Sequence, residues 1–279
     1  MTKFHPLAKY PGPFLAKLTN LYSVWHAVRG TRHSSLYELH QRYGEFVRWG
    51  PNNISINSTS ALTPIYGLKA NVKKSTWYNA FKSISIFSAV DKDVHARKRR
   101  VMSHAFSEQA VRETQPYIIS AIRVWCEMLG DRLEQETAPP QDQWASPKDM
   151  RYWSAYVIFD ALGELLLGES FNTTSRSDNR FFLDLMASNA RWINIIGQMP
   201  FLGRFNFSTI FAYNERRARQ FAFLRAQLKK RLALGSESKG RRDIIHYLQQ
   251  GKDPNTGHGY SEMELMGETA LLLGAGETH

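Results

Sequence analysis

Two short stretches hold the side chains best equipped for chemistry. The first is Lys92-Asp93-Val94-His95-Ala96-Arg97-Lys98-Arg99-Arg100, where five basic side chains and a histidine accompany one acid. On a helix His95 and Arg99 stand four apart and share a face. That pair suits an anion site for carboxylates or phosphates. The same run also suits a solvated basic face, with Val101, Met102, Ala105 and Phe106 as the apolar side. Both readings stay open on this segment alone. The second stretch is Gly274-Ala275-Gly276-Glu277-Thr278. Glycine in a helix interior costs about 1 kcal/mol relative to alanine, but it lets a flat group approach the backbone. An acid and a hydroxyl at the end of such a stretch can relay protons. A helix C-terminus with a packing glycine would carry the same letters.

Other signatures are missing. There is no Gly-x-x-x-x-Gly-Lys phosphate loop, no His-Glu-x-x-His, no Cys-x-x-Cys and no Gly-x-Ser-x-Gly. The one cysteine, Cys126, rules out an intrachain disulfide and cysteine-based metal clusters. Its setting, Ala121 to Leu129, reads as an amphipathic helix, so a small buried hydrophobe is expected there. The 279 residues are 43% hydrophobic and 13% aromatic, enough for a sizeable core. A net charge of +11 suits nucleic acid, an anionic membrane surface, an acidic protein partner, or simply a soluble surface. No apolar run approaches the ~18 residues of a membrane span. No secretory signal opens the chain at Met1.

The elements that must position the two stretches are mostly helical. Pro11-Gly12-Pro13 forces an extended or turning start. Helical periodicity follows over Leu18–Arg29 and Ser34–Arg42. Phe46-Val47-Arg48-Trp49 and Ile54-Ser55-Ile56 flank Gly50-Pro51-Asn52-Asn53 and predict a β-hairpin. A short helix is expected over Ala61–Tyr66. Residues 77–90 form an irregular apolar loop with Trp77, Tyr78, Phe81, Ile84, Ile86 and Phe87. From Asp93 the pattern is mainly helical. Ser146-Pro147-Lys148-Asp149 reads as an N-cap followed by proline at the first helical position. Ser261-Glu262-Met263-Glu264 is a capping box ahead of an apolar helix over Leu265–Thr278. The linkers are Gln135–Gln143 and Gly251–Gly259. The fold class is mainly α with a small β-hairpin element near the N-terminus.

Taken in order, these segments resemble the cytochrome P450 family of haem-thiolate monooxygenases, in its fungal form. His5-Pro6-Leu7-Ala8-Lys9-Tyr10-Pro11-Gly12-Pro13 is similar to the hinge that follows the membrane anchor. Tyr43-Gly44-Glu45-Phe46-Val47-Arg48 and Gly50-Pro51-Asn52 resemble the family's first hairpin. His95 to Arg100 with His104-Ala105-Phe106-Ser107 resembles its helix C. Phe159 to Gly163 and Gly168 to Phe171 resemble the end of helix E, and Arg242 to Ile245 the start of helix H. Glu268 to Thr278 resembles the oxygen-binding helix I. Here His279 stands where the family continues with Thr or Ser.

The resemblance implies one incomplete cytochrome P450 domain over residues 1–279 and haem as the cofactor. His95 and Arg99 would hold the haem propionates, with Gly274 and Ala275 facing the haem. Glu277 and Thr278 would be catalytic, delivering protons. Phe81, Ile84, Ile86 and Phe87 would line the substrate pocket, and residues between Trp192 and Phe211 its roof. No metal ligand is assigned, because the family's Glu-x-x-Arg pair and cysteine loop find no counterpart here. Glu45-Phe46-Val47-Arg48 matches Glu-x-x-Arg by letters only, and Cys126 lacks the Gly-rich loop of a thiolate ligand. The chain is therefore expected to be a truncated, poorly soluble and inactive fragment without a reduced-CO thiolate band. The partners implied are a lipophilic small molecule, in fungal secondary metabolism, and an NADPH-dependent flavoprotein reductase docked on Arg97, Lys98 and Arg100. No nucleic acid is expected. The parent protein would reside at the endoplasmic reticulum membrane. The alternatives are a non-enzymatic remnant and a basic module for nucleic acid or anionic lipid, resting on the charge and on residues 92–100.

Overall fold

The computed structural model describes residues 5–67, 69–81, 83–130, 145–201, 213–235 and 242–275. The chain divides into two compact units.

The unit built on residues 1–82, 90–92 and 188–211 holds the β element. Helices α1 (Phe14–Leu18), α2 (Leu21–Arg29) and α3 (Arg32–Tyr43) precede an antiparallel hairpin of β1 (Phe46–Gly50) and β2 (Asn53–Ile56), followed by α4 (Leu62–Tyr66). Register runs Phe46↔Ile56, Val47↔Ser55, Arg48↔Ile54 and shifts before Gly50↔Asn53. The turn chemistry of Gly50–Asn53 thus acts as expected. Arg48 is buried at the bend; its Nη2 donates to the Pro51 carbonyl at 2.6 Å and its Nε to the Gly50 carbonyl at 3.4 Å, while Nη1 has no hydrogen-bond partner among the described residues. The Ser23 hydroxyl of α2 donates to Gln198 at 2.9 Å.

The other unit takes residues 83–89, 93–187 and 212–279. Its helices are α5 (Lys92–Ser103), α6 (Glu108–Leu129), α7 (Met150–Leu167), the start of α8 (Phe181–Gln198), α9 (Tyr213–Ala233), α10 (Ile244–Gln250) and α11 (Glu262–Ala275). Helix α7 packs against α6, α9, α10 and α11, as expected of a helix apolar on most sides. The core around it contains four stacked or tilted rings. Phe159 lies 4.4 Å from Phe171 and 5.0 Å from Phe182, and Phe223 lies 5.2 Å from Phe182. Ring pairs at such separations add about 0.5–1.5 kcal/mol each beyond area burial. Gly163 admits Phe171 at this point, since a Cβ there would sit 2.7 Å from the Glu169 carbonyl oxygen and 2.8 Å from the Phe171 ring.

Local polar chemistry ends and joins these helices. The Asp160 carboxylate is buried and accepts from Thr173 N–H (2.7 Å), Thr173 Oγ1 (2.9 Å) and Thr174 N–H (2.8 Å), stapling the chain beyond α7 back onto it. Asp243 caps α10 through His246 N–H at 2.8 Å and binds buried Arg231 at 2.5 and 3.0 Å. The capping box at α11 forms as expected. Ser261 Oγ accepts from Glu264 N–H at 3.3 Å, and Glu264 accepts from Ser261 N–H at 3.1 Å. Two expectations are corrected. Helix α7 is capped by Asp149, which accepts from Arg151 N–H, and not by Ser146. Cys126 is exposed on α6 instead of buried, because the buried face of that helix runs through Ala110, Thr114 and Ala121. The linker 135–143 lies outside the described residues.

Candidate functional site

Helix α5 shows which of its charges face inward. Lys98, Val101, Met102 and Ala105 are buried, at the i, i+3, i+4, i+7 spacing of a helix packed along one stripe. A lysine on that stripe is tolerable only if a counter-charge meets it. Helix α11 supplies two, Glu264 and Glu268, one turn apart. Lys98 Nζ lies 3.0 Å from Glu268 Oε1 and 3.2 Å from Glu264 Oε1. Lys98 and Glu268 are both 0% exposed. Arg97 pairs with Glu264 and donates to the Gly259 carbonyl at 3.3 Å. Arg100 grips Asp253 with two bonds of 2.6 and 3.1 Å.

The run 92–100 is therefore only in part a solvated basic face, with Lys92 and Arg99 exposed. Arg97, Lys98 and Arg100, expected to offer free charge to a reductase, are each matched by an acid of the same unit. The same pairing leaves Lys92 and Arg99 as the exposed cations of the run. Asp253 also accepts from Thr256 Oγ1 at 2.9 Å, so the Gly/Pro/Asn loop at 251–259 folds around one carboxylate. The Arg100 hydrogen bond holds that carboxyl well below the usual range.

Glu268 does a second thing. Both of its carboxylate oxygens accept from the Ile86 backbone N–H, at 2.9 and 3.0 Å. The segment 83–89 is itself knotted. Ser85 N–H donates to Ser88 Oγ (2.9 Å), Ser88 N–H to Ser85 Oγ (3.3 Å), and Ser88 Oγ to the Ser83 carbonyl (2.5 Å). One carboxylate on α11 thus fixes both α5 and the 83–89 loop. Burial pushes the Glu268 carboxyl above its ordinary range, with the Ile86 N–H and the Lys98 ammonium pulling the other way. For Glu264 burial also acts upward, but the Ser261 N–H, Lys98 and Arg97 outweigh it and its pKa is lowered. Tyr260 is raised by burial and by the charge of Glu268, and donates its hydroxyl proton to the Lys98 carbonyl at 2.8 Å.

Of the residues singled out from sequence, several gather in this unit. His95 is half-buried on α5, and Arg99 one turn later is exposed. Arg99 has no ion pair or hydrogen bond among the described residues, although Arg97, Lys98 and Arg100 all do. Gly274 is half-buried and Ala275 exposed at the end of α11. A Cβ on Gly274 would meet only Met186 Cε, at 3.7 Å, so the small side chain leaves space without being forced by a neighbour. Ile84 and Phe87 are 65% and 42% exposed, whereas Ile86 packs against the core. Phe81 belongs to the other unit, edge-on to Trp77 at 5.7 Å. Glu277 and Thr278 lie outside the described residues, as does 202–211 of the expected pocket roof.

The pairing of Lys98 with Glu268 at the centre of this junction is what sequence reasoning missed. One signal pointed to it: Glu268 is the sole charge between Leu265 and Ala275 on an otherwise apolar helix. His95 and Arg99 share one face of α5, and a histidine with an exposed arginine suits a dianionic edge such as paired carboxylates. Small residues on α11 suit a flat apolar body. The arrangement fits a haem and its propionates. A separate groove of 480 Å³, lined by Phe181, Asp184, Leu185, Glu215 and Arg219, shares no residue with this junction. No helix among the described residues is long and apolar enough to cross a membrane.

The family model for cytochrome P450 matches residues 10–278. The cytochrome P450 monooxygenase poxM of Penicillium oxalicum is 31% identical over 98% of this chain and 53% of its own length. The cytochrome P450 monooxygenase apf7 of Gibberella fujikuroi is 33% identical over 98% and 54%. The cytochrome P450 monooxygenase atnE of Emericella nidulans is 32% identical over 98% and 54%. The chain spans about half the length of these curated relatives.

Proposed function

The chain belongs to the cytochrome P450 family, and from that membership we propose that the protein is a haem-thiolate monooxygenase. It would place one oxygen atom of O2 into a lipophilic small molecule of fungal secondary metabolism. Haem, when bound, supplies the dioxygen chemistry. The observation that carries the reading is Arg99, the cation of the 97–100 cluster left exposed and without a partner among the described residues, one turn after His95.

The residues of this chain have the following parts. Arg99 and His95 bind and orient the propionates. Lys98 and Glu268 hold α5 against α11, so that His95 and Arg99 keep a fixed relation to Gly274 and Ala275. Those two residues leave room for a flat ligand against the helix. Ile84 and Phe87 present apolar surface to a substrate. Glu277 and Thr278 hold and pass protons beyond Ala275. Cys126 is exposed about 27 Å along α6 from its first residue, and no Gly-rich loop surrounds it. We therefore assign the thiolate ligand to a part of the protein outside these 279 residues, and regard this chain by itself as inactive. Residues 1–279 would form one incomplete domain of the family. Electron supply by a flavoprotein reductase and residence at the endoplasmic reticulum membrane follow by analogy with the family.

The test is spectroscopic. The 279-residue chain and the full-length protein are reconstituted with hemin, reduced and exposed to carbon monoxide. A thiolate Soret band is expected from the full-length protein and not from the chain. Arg99→Ala in the full-length protein should weaken haem retention about tenfold, the worth of one charge-assisted contact. A full-length protein without the band, or a chain with it, would overturn the assignment.

A further inference from the structure

We propose that Glu268 is a positioning residue for substrate: through the Ile86 N–H it sets the 83–89 loop, and with it the apolar side chains of Ile84 and Phe87, against the helix that carries His95 and Arg99. The proposal rests on the monooxygenase reading above, because it takes that loop to face the ligand.

The geometry separates this role from simple packing. Glu268 is wholly buried on α11 and aims both oxygens at one backbone N–H, 182 positions away in sequence. Its other strong partner, Lys98, is equally buried and lies on α5. The loop has no helix or strand of its own, and its serine knot fixes only its internal shape. The Ile86 side chain packs against the core while Ile84 and Phe87 stand exposed at 65% and 42%. The Ile86 N–H and side chain together form the fulcrum, and Ile84 and Phe87 are the ends that swing. Position 267 adds to the closeness: the Ile84 carbonyl oxygen lies 3.7 Å from where a Cβ on Gly267 would stand. A small rotation of the loop would therefore move both exposed side chains while leaving His95 and Arg99 in place on α5.

Two double variants isolate the tether in the full-length, haem-loaded protein. Lys98→Met with Glu268→Gln removes both buried charges and keeps an acceptor for Ile86. Lys98→Met with Glu268→Met removes the charges and the acceptor. Both avoid a lone buried charge, so both should fold comparably. The first readout is the spectral dissociation constant of two iron-ligating probes, plain imidazole and 1-dodecylimidazole, whose tail samples the apolar pocket. The Met/Met variant should bind the tailed probe about tenfold more weakly, with plain imidazole changed less than about twofold. The Met/Gln variant should keep the ratio of the two dissociation constants near that of wild type, so that any effect of losing the ion pair itself, shared by both variants, cancels. The second readout is amide hydrogen exchange of 83–89, measured with and without haem. It should quicken about tenfold in Met/Met only. If the two variants behave alike, or plain imidazole weakens in parallel with the tailed probe, Glu268 does not position the loop. If the wild-type protein takes up no haem, the monooxygenase reading falls, and the haem-free exchange comparison alone decides the tether.

Discussion

Replacing Lys98 with methionine isolates the energetics of the junction between α5 and α11. Methionine keeps the length of the side chain and removes the ammonium. Glu268 then remains 0% exposed, with the Ile86 N–H as its remaining strong partner. Breaking a buried ion pair by removing one partner costs about 3–5 kcal/mol. The Ile86 bond keeps the expected loss near the low end, about 3 kcal/mol around neutral pH. For a chain of this size that corresponds to a fall in Tm of roughly 6–12 °C. The pH dependence identifies the cause. The folded-state pKa of Glu268 is already raised above its ordinary 4.5 by burial, and loss of Lys98 raises it further. Between the unfolded and folded pKa values the native state binds more protons than the unfolded one. Stability in that window therefore rises as pH falls, and is lost as pH climbs through the folded pKa. The Lys98→Met penalty should thus shrink steadily from neutral pH towards 4.5, read as the difference in urea-unfolding free energy from wild type. The Lys98→Met, Glu268→Gln double variant, which removes both charges and keeps an acceptor for the Ile86 N–H, should recover most of the loss at neutral pH. A penalty flat with pH, or no penalty at all, would refute the claim that Lys98 neutralises a buried carboxylate.

Three further outcomes are expected. Asp253 has a depressed pKa because Arg100 bonds its charged form, so its contribution is present above 3.8 and is lost as pH falls through the lower folded value. Asp253→Asn should remove that acid limb from the amide exchange of 253–258. Gly163→Ala should cost about 1–3 kcal/mol by thermal melting, since the new Cβ would press on the Glu169 carbonyl and the Phe171 ring. Asp160→Ala strips buried acceptors from the Thr173 and Thr174 N–H groups, and should destabilise the unit by about 2–4 kcal/mol in chemical denaturation.

What the sequence revealed depended on how far apart the interacting residues lie. The hairpin at Phe46–Ile56 and the capping box at Ser261 were readable because four to eleven consecutive residues contain the whole interaction. The cap of α7 was misplaced by three residues, because Ser146 and Asp149 both carry suitable oxygens and only the backbone path chooses Asp149. Cys126 was expected inside because its neighbours are apolar, but α6 turns Ala121 inward and leaves position 126 to solvent. The largest difference is the basic run. Its letters describe five cations within nine residues, and nothing local says that three of them meet Glu264, Glu268 and Asp253 more than 150 residues later. That His95 and Arg99 share one face of a helix was legible because a single helical turn relates them. That Arg99 alone would stay free among the arginines and the lysine at 97–100 was visible only once its neighbours had found their acids.

The burial of Lys98 against Glu268 constrains how this protein can drift. A lineage that loses either residue first passes through a form with a bare charge in a dry interior. Such an intermediate is selected against before the compensating change arrives. Among close homologues, lysine at 98 should therefore travel with an acid at 268. Chains with an apolar residue at one position should be apolar or neutral at the other.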